Sequence, residues 1–199
     1  DDNADLILTK TEPDKLGYIH YRYFQTYKGV PVENSMYIAH TRNNLLKGMT
    51  GSIITDFDPA AVRKSNAGIA ANRAVDIAVA AAGAQVYAWN DKAMEQSLKT
   101  QTQDKNASYA PKAQLVWHSA GGVLNPRQLK LSYKVDVYAI KPLSRVAYYV
   151  DAATGKIIDK RDLIEFTDAT GTANTYWSGA QSVHSDFTGS NYRLRDVTK

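Results

Sequence analysis

The clearest pattern in the first third of the chain is an alternation of side chains with a period of two over residues 16–28. One face of this stretch carries Ile19, Tyr21, Tyr23, Gln25 and Tyr27, and the other carries Tyr18, His20, Arg22, Phe24 and Thr26. Such alternation is typical of a β-strand with two different faces. Turns lead to two more predicted strands, over residues 32–41 and 45–56, so we expect a three-stranded antiparallel meander.

An Ala-rich stretch then carries apolar side chains at helical spacing. These side chains are Ala71, Ala74, Val75, Ala78, Val79 and Ala82. We expect Ser65 or Asn66 to cap the start of this helix and Gly83 to lie just after its end. A second, shorter helix is predicted over residues 91–98, with Asn90 as its cap.

Strand patterns return in the second half of the chain, at residues 113–119, 128–140, 145–150 and 156–159. The longest of them alternates, with Leu129, Leu131, Tyr133, Val135 and Val137 on one face. These stretches predict a four-stranded antiparallel sheet with the helices covering one face, because an apolar sheet face must pack against another layer. The predicted fold class is therefore α+β: a meander, a helix-covered sheet and then a short β tail.

A tight turn joins the last two of these strands. Asp151 can accept hydrogen bonds from backbone N–H groups inside the turn, and Gly155 can adopt a positive φ that a side chain would disfavour. We therefore expect a β-hairpin with a bulge at Gly155.

Composition and charge exclude several classes of function. The 199 residues are 44% hydrophobic and 22% charged, which is ordinary for a globular protein. The chain has no cysteine, which excludes disulfides and thiolate chemistry. Its net charge of +4 is spread along the chain without a basic run, so we expect no nucleic-acid partner. No apolar stretch is long enough to cross a bilayer, so we expect no membrane partner either.

The alternating strand also carries a specific motif that continues into the turn after it. Its residues are His20, Arg22, Tyr23, Gln25, Tyr27, Gly29 and Pro31. At this spacing they resemble the FTP motif in the pro-region of thermolysin-like zinc metalloproteases. From their chemistry, Gln25 and Tyr27 can satisfy backbone groups, and Arg22 can stack on tyrosines while it reaches a carboxylate. For His20 we favour a structural role over a ligand, and for the motif we favour sheet packing over direct contact with a catalytic domain.

The hairpin carries a resemblance to the same family. Residues 149–158 are similar to the closing hairpin of the PepSY module in these pro-regions, and the residues involved are Tyr149, Asp151, Thr154 and Gly155. Residues 169–172 and 183–196 resemble the start of the mature catalytic domain. The resemblance implies a lead-in at 1–15, an FTP-like module at 16–59, a PepSY-like module at 60–165, a junction at 166–170 and the start of the catalytic domain at 171–199.

A thermolysin-like catalytic centre needs a His-Glu-x-x-His helix, which supplies two zinc ligands and a general base. The four histidines of this chain are His20, His40, His118 and His184, and no two of them have that spacing. A triad from Ser182, His184, Ser185 and Asp186 is disfavoured, because neighbours on a strand point to opposite faces. We therefore expect that this chain alone is not an enzyme and holds no cofactor, and that zinc and calcium belong to the expected catalytic domain.

The resemblance implies that the chain is a covalently attached chaperone and inhibitor of a secreted or periplasmic metalloendopeptidase, with its signal peptide already absent. The partner is the cognate catalytic domain, and the segment expected to lie in its active-site cleft is Leu163, Ile164, Glu165, Phe166, Thr167, Asp168 and Ala169. Phe166 or Ile164 would fill an apolar subsite. Glu165 or Asp168 would approach the zinc ion. We expect autolysis at the Asp168–Ala169 bond.

Two alternatives stay open at this point. Residues 163–169 can be a simple linker, although their apolar side chains are unusual for one. The whole chain can instead be a stand-alone secreted PepSY-type module that binds a ligand or inhibits a protease without having a protease of its own. Such a module has no need of residues 170–199, which favours the pro-region. Because those residues alone bury little apolar surface, we expect them to be disordered unless the rest of the catalytic domain is present.

Overall fold

The computed structural model describes residues 4–57, 67–164, 168–175, 179–187 and 192–194. They form two antiparallel sheets and two α-helices, followed by a small third sheet. This arrangement confirms the predicted α+β class.

The first sheet contains the predicted meander and an additional edge strand. Its strands are β1 (Ala4–Pro13), β2 (Tyr18–Tyr27), β3 (Val30–Pro31), β4 (Met36–Arg42) and β5 (Leu45–Ser52). The order is β1-β2-β4-β5, with the short β3 also paired to β2. The described part of the predicted lead-in, residues 4–15, is mostly exposed, but its main part is a strand that pairs with β2 along its whole length. The run of three apolar residues from Leu6 to Leu8 hides the alternation of β1 from a sequence reading.

The segment that follows β2 is not one continuous strand over residues 32–41, as predicted, but is interrupted before β4. After β3 the chain leaves the sheet for four residues and rejoins it only at Met36. Val32 there forms an isolated parallel bridge with Trp117, which belongs to the second sheet. The interruption occurs because Val32 bridges to Trp117 and the N–H of Glu33 donates to the carbonyl of the same tryptophan, which lies outside the meander.

Two helices follow, α1 (Ala71–Ala82) and α2 (Lys92–Thr102). Helix α1 begins after Ala70, which offers no side-chain cap. The start therefore lies later in the chain than predicted, and the predicted caps Ser65 and Asn66 lie outside the described residues. Gly83 follows α1 in the left-handed conformation, as predicted, and its N–H donates to the carbonyl of Val79. The cap of α2 is Asp91 instead of Asn90, because the carboxylate of Asp91 accepts from the first free N–H groups of the helix.

The second sheet has the four predicted strands and one short addition. Its strands are β6 (Val86–Tyr87), β7 (Ala113–His118), β8 (Lys130–Lys141), β9 (Leu143–Asp151) and β10 (Ile157–Asp162). The order is β10-β9-β8, and β7 and β6 both pair with β8. Helix α1 covers one face of this sheet through the fully buried Ala74 and Ala78. Helix α2 has no buried residue, so α1 provides the main cover.

The third sheet lies in the expected β tail. Its strands are β11 (Asp168–Thr175), β12 (Gly179–Phe187) and β13 (Tyr192–Leu194), in that order. Strands β12 and β13 were predicted, and β11 is an addition. The described part of residues 170–199 is therefore in strands, contrary to the expected disorder.

Candidate functional site

The motif residues of β2 divide between the two faces of the first sheet. Tyr23, Gln25 and Tyr27 lie on one face, and His20 and Arg22 lie on the other, as the alternation predicts. The strand becomes more buried toward its end, where Gln25, Thr26 and Tyr27 are all buried. The motif therefore runs from a half-exposed sheet into a core.

The buried side chain of Gln25 both donates a hydrogen bond to the backbone of Ile54 and accepts one from it. Its Nε2 donates to the carbonyl of Ile54 at 2.7 Å, and its Oε1 accepts from the N–H of Ile54 at 2.9 Å. The backbone N–H of Gln25 donates to Oγ of Ser35 at 3.0 Å. Gln25 thus fixes the segment after β5 across the sheet, which confirms that it satisfies backbone groups.

Tyr27 connects the first sheet to the second. Its ring stacks on Phe57 with the centroids 4.0 Å apart and meets Trp117 edge-on at 5.9 Å. Trp117 also donates from Nε1 to the carbonyl of Tyr27 at 2.9 Å. All three side chains are buried, so this cluster joins the sheets through packing as well as a hydrogen bond.

The turn after β2 brings a glutamate onto the second sheet. Gly29 has a φ of +73°, which suits a residue without a side chain, and Pro31 pairs with Thr26 in the short β3. Two residues later the N–H of Glu33 donates to the carbonyl of Trp117 at 2.8 Å. The turn residues of the motif therefore direct the chain toward the second sheet.

The carboxylate of Glu33 has two partners on the second sheet. Its Oε1 accepts from Nζ of Lys134 at 2.6 Å and from the hydroxyl of Tyr149 at 3.0 Å. Burial, followed by the negative charge and hydrogen bond of Glu33, raises the pKa of Tyr149. Tyr149 is fully buried and belongs to the predicted hairpin, so Glu33 links the two predicted motifs.

A buried histidine lies under this contact. His118 stacks on Tyr149 with the ring centroids 3.6 Å apart, and its Nε2 lies 2.8 Å from Oδ2 of Asp159. Its Nδ1 is buried without a hydrogen-bond partner in the described chain. Burial lowers the pKa of His118 although Asp159 opposes this effect, so folding favours the neutral ring over the protonated one. Burial also acts to raise the pKa of Asp159, but the hydrogen bond of His118 and two backbone N–H groups together lower it.

The hairpin turn is built largely as predicted. Oδ1 of Asp151 accepts from the N–H groups of Ala153 at 3.0 Å and Thr154 at 2.9 Å, and Gly155 has a φ of +74°. The hydroxyl of Thr154 accepts weakly, at 3.4 Å, from the N–H of Lys156. The predicted bulge at Gly155 is wrong in position, because the register shifts after the turn, between residues 157 and 159.

The charged face of the first sheet carries the other motif residues. Nε of Arg22 lies 2.6 Å from Glu12, which confirms that Arg22 reaches a carboxylate. Hydrogen bonds from Lys10 and then Arg22 lower the pKa of Glu12 to about 2. The cation that lies over a tyrosine ring on this sheet face is Arg42, over Tyr18.

His20 has a histidine partner on the neighbouring strand. Its Nδ1 lies 2.7 Å from Nδ1 of His40, and its Nε2 lies 3.3 Å from Asp14. Two nitrogen ligands of one tetrahedral zinc ion would lie about 3.3 Å apart at ordinary bond lengths. The centroids are 4.9 Å apart, so the two nitrogens face each other nearly head-on, as in a hydrogen bond. This geometry does not fit zinc and agrees with a structural role for His20.

The predicted inhibitory segment is described only in part. Leu163 is 39% exposed, and its N–H donates to the carbonyl of Arg145 at 2.7 Å, while Ile164 is half-buried. Glu165, Phe166 and Thr167 lie outside the described residues. Asp168 and Ala169 begin β11 and pair with residues 186 and 185.

Sequence reasoning missed three residues of this site, namely Glu33, His40 and His118. Glu33 follows the motif by only two positions, but its partners are about a hundred residues away along the chain. His40 is 20 residues from His20 and could have been found by writing out the predicted β2–β4 register. For His118 we find no signal in the sequence.

Residues 4–53 match the Fungalysin/Thermolysin Propeptide Motif, which covers β1 to β5. The chain is 30% identical over 188 residues to bacillolysin of Bacillus amyloliquefaciens, covering 94% of this chain and 32% of that protein. It is 25% identical to bacillolysin of Bacillus subtilis strain 168, covering 100% of this chain and 35% of the relative. It is 27% identical over 157 residues to thermolysin of Alicyclobacillus acidocaldarius, covering 78% of this chain and 25% of the relative.

These similarities confirm the predicted resemblance to the pro-region of a thermolysin-like metalloprotease. The chain spans about a third of the length of the bacillolysins that it matches. The matched motif is a propeptide motif, in agreement with the prediction that this chain by itself is not an enzyme. The PepSY resemblance of the hairpin stays a prediction.

The described residues hold neither a metal site nor a membrane-spanning helix. Among them, no group of three or more His, Asp or Glu side chains is placed to hold a metal ion. Neither of the two described helices has the length and apolar character to cross a membrane.

Proposed function

We propose that this chain is the pro-region of a secreted thermolysin-like zinc metalloendopeptidase, and that it acts as intramolecular chaperone and inhibitor until autolysis removes it. The observation that carries the proposal is the propeptide motif over residues 4–53, within a chain similar to bacillolysin over 94% of its length. The partner is the cognate catalytic domain, which holds the zinc ion and calcium ions.

The chaperone role is supported by the way the two large sheets are joined. Tyr27, Trp117 and Glu33 connect them through contacts between the described residues 4–57 and 67–164. A pro-region of this kind presents a preformed surface on which a catalytic domain can fold. The template therefore does not need the catalytic domain for its own shape.

The inhibitory role is assigned to the segment Leu163–Ala169. Leu163 is held against β9 through the carbonyl of Arg145, and β11 begins at Asp168, so both ends of the segment are fixed by sheets. Within it, Phe166 or Ile164 fills an apolar subsite and a carboxylate of Glu165 or Asp168 approaches the zinc ion. Cleavage at the Asp168–Ala169 bond opens only the first pairs of β11.

The first test is an intact-mass spectrum of the material from its native source, with N-terminal sequencing of every chain found. A co-purifying larger chain that carries His-Glu-x-x-His supports the proposal. A single species of this chain's mass with no precursor in the source contradicts it and favours the stand-alone module.

The second test concerns the segment itself. Phe166→Gly is expected to weaken inhibition of the co-purified protease about tenfold, as loss of an apolar subsite contact should. Val123→Gly is the control, because Val123 is 68% exposed and lies outside the segment. Equal inhibition by the two variants would show that Phe166 fills no subsite.

A further inference from the structure

The two faces of the first sheet differ in charge. We define the open face as the side that carries Leu8, Tyr21, Tyr23, Tyr37, Ala39 and Met49, which the register places together. No position paired on this side is charged. The opposite side, which we call the charged face, carries Asp5, Lys10, Glu12, Arg22 and Arg42.

Part of the open side is already covered by the chain itself. At the end of β2, Gln25 and Tyr27 lie under Ile54 and Phe57 and are only 3% and 5% exposed. Farther along the same side this cover stops. Leu8 is 49% exposed and Met49 is 52% exposed, so these large apolar side chains are left uncovered by the described chain. The uncovered region therefore lies next to the buried contact of Gln25 and Tyr27 with Ile54 and Phe57, on the same side of the sheet.

The tyrosines of the open face lack partners of their own. Tyr21, Tyr23 and Tyr37 are half-buried, and within the described chain their hydroxyls make no hydrogen bond. Tyrosine is favoured in protein interfaces because its ring packs while its hydroxyl bonds to the partner. A hollow of about 420 Å³ is lined by Leu6, Ile53 and Ile54 together with the polar residues Asp5, Gln25 and Thr55.

The size of the face indicates what kind of partner covers it. With about 3.4 Å per residue along a strand and about 4.8 Å between strands, the uncovered part presents on the order of 400 Å². A freely diffusing partner usually needs about 800 Å² per side. A partner on the same polypeptide needs less, because the tether raises its effective concentration to roughly the millimolar range.

We propose that the open face docks an uncharged, apolar surface of the catalytic domain on the same precursor. This inference rests on the proposed function and adds a second contact to the segment at residues 163–169. An uncharged occupant is favoured, since a charge buried against the paired positions of this face would find no counter-charge among them. Lys47, the exposed residue at the bulge of β5, has no paired position in the sheet. Backbone carbonyls or other acceptors on the occupant receive the tyrosine hydroxyls.

Two methionines provide a matched test. Met49 on the open face and Met36 on the charged face are both 52% exposed, and they lie on the neighbouring strands β5 and β4. Hydroxyl-radical oxidation is measured on this chain alone and on the full precursor. We expect oxidation of Met49 to slow about fivefold in the precursor, because an interface core excludes water, while oxidation of Met36 changes little.

Glutamate substitutions at the same two methionines provide a second test. Met49→Glu is expected to lower the yield of active protease from the precursor about tenfold, because it buries an unpaired carboxylate. Met36→Glu should leave that yield near that of the wild type. Both variants are first checked for an unchanged unfolding midpoint in the isolated chain, so that a folding defect is recognised.

The outcomes separate this inference from the proposed function. If Met49 is not protected in a precursor whose protease the chain still inhibits, the docking proposal is wrong and the proposed function stands. If no precursor exists or no inhibition occurs, the proposed function itself fails. If the isolated chain dimerises in sedimentation experiments and Met49→Glu abolishes the dimer, the occupant is a second copy and the proposal is overturned.

Discussion

The two large sheets are similar in size but differ in how much of each is buried. In the second sheet both faces are covered: Val135 and Val150 are fully buried on the helix side, and Val116, Ala147 and Tyr149 are fully buried on the other. In the first sheet, burial is confined to the end of β2 and to the loop residues that follow. The comparison indicates that the second sheet carries most of the stability, whereas the first leaves a surface for a partner.

The largest loss of stability is expected when the tryptophan shared by the two sheets is removed. Trp117→Ala should lower the free energy of unfolding by about 3–5 kcal/mol, because it opens a cavity in the buried cluster with Tyr27 and Phe57. Urea unfolding followed by circular dichroism measures this loss. Trp89→Ala is the control, since Trp89 is half-buried, stacks on Tyr87 and packs at the margin of the same core without being buried in it. Equal losses for the two would argue against a shared core at Trp117.

A second change tests the burial that belongs to the first sheet alone. Gln25→Leu should lower the free energy of unfolding by about 2–3 kcal/mol, because both backbone groups of Ile54 lose their partner. Gln25→Glu keeps the size and the acceptor but removes the donor to the Ile54 carbonyl. The same urea measurement is used, and a loss below about 0.5 kcal/mol in both variants would show that the amide has no such role.

The two faces of each sheet were predicted best where a strand alternates without interruption. The alternation of β2 gave its faces correctly, and the alternating apolar side of β8 is the side packed under α1. The turn chemistry of Asp151 and Gly155 was equally readable, because both act on backbone groups within a few residues. Local hydrogen bonding and periodicity are properties that a sequence shows directly.

The contacts between the sheets could not be predicted in the same way. Trp117 is 90 residues from Tyr27, and Glu33 is 116 residues from Tyr149, so neither pair leaves a local pattern. The open face was also hidden, because whether a half-apolar strand is covered depends on the neighbours that the fold supplies. Strand β1 was missed for a related reason, as its pairing with β2 decides its conformation.

A pH titration tests the buried side of the second sheet. The pKa of His118 is lowered in the folded protein, so below about pH 6.5, its ordinary value, the unfolded chain binds a proton that the folded chain does not. The free energy of unfolding should therefore fall as the pH drops from 6.5 toward the lowered pKa, by at most about 1.4 kcal/mol per pH unit.

The variant His118→Phe keeps a ring for the stack on Tyr149 and removes the titrating group. It should flatten the pH dependence of stability below pH 6.5, measured by urea unfolding between about pH 7 and pH 5. In the wild-type chain Asp159 does not contribute to this slope, since its pKa is lowered from an ordinary value near 3.8 and its contribution is lost only at more acidic pH. An unchanged slope in the variant would assign the acid sensitivity to other groups.

The smallest effect on stability is expected for the two exposed methionines of the first sheet. Met49→Glu and Met36→Glu should each change the free energy of unfolding of this chain by less than about 0.5 kcal/mol, because both side chains are half exposed. The thermal midpoint is a sufficient measurement. A large loss for Met49→Glu alone would mean that the open face is covered within the chain.

The contacts of Tyr27 and Glu33 with the second sheet have a consequence for how the protein can be divided. They hold residues 4–57 against residues 67–164 by packing and hydrogen bonds, independently of the peptide that connects the two parts. We therefore expect fragment complementation: residues 1–57 and 67–199, produced as separate polypeptides with a tag on one, should co-purify. The two fragments would then associate without a covalent link, and the contacts of Tyr27, Trp117 and Glu33 would contribute to their recognition.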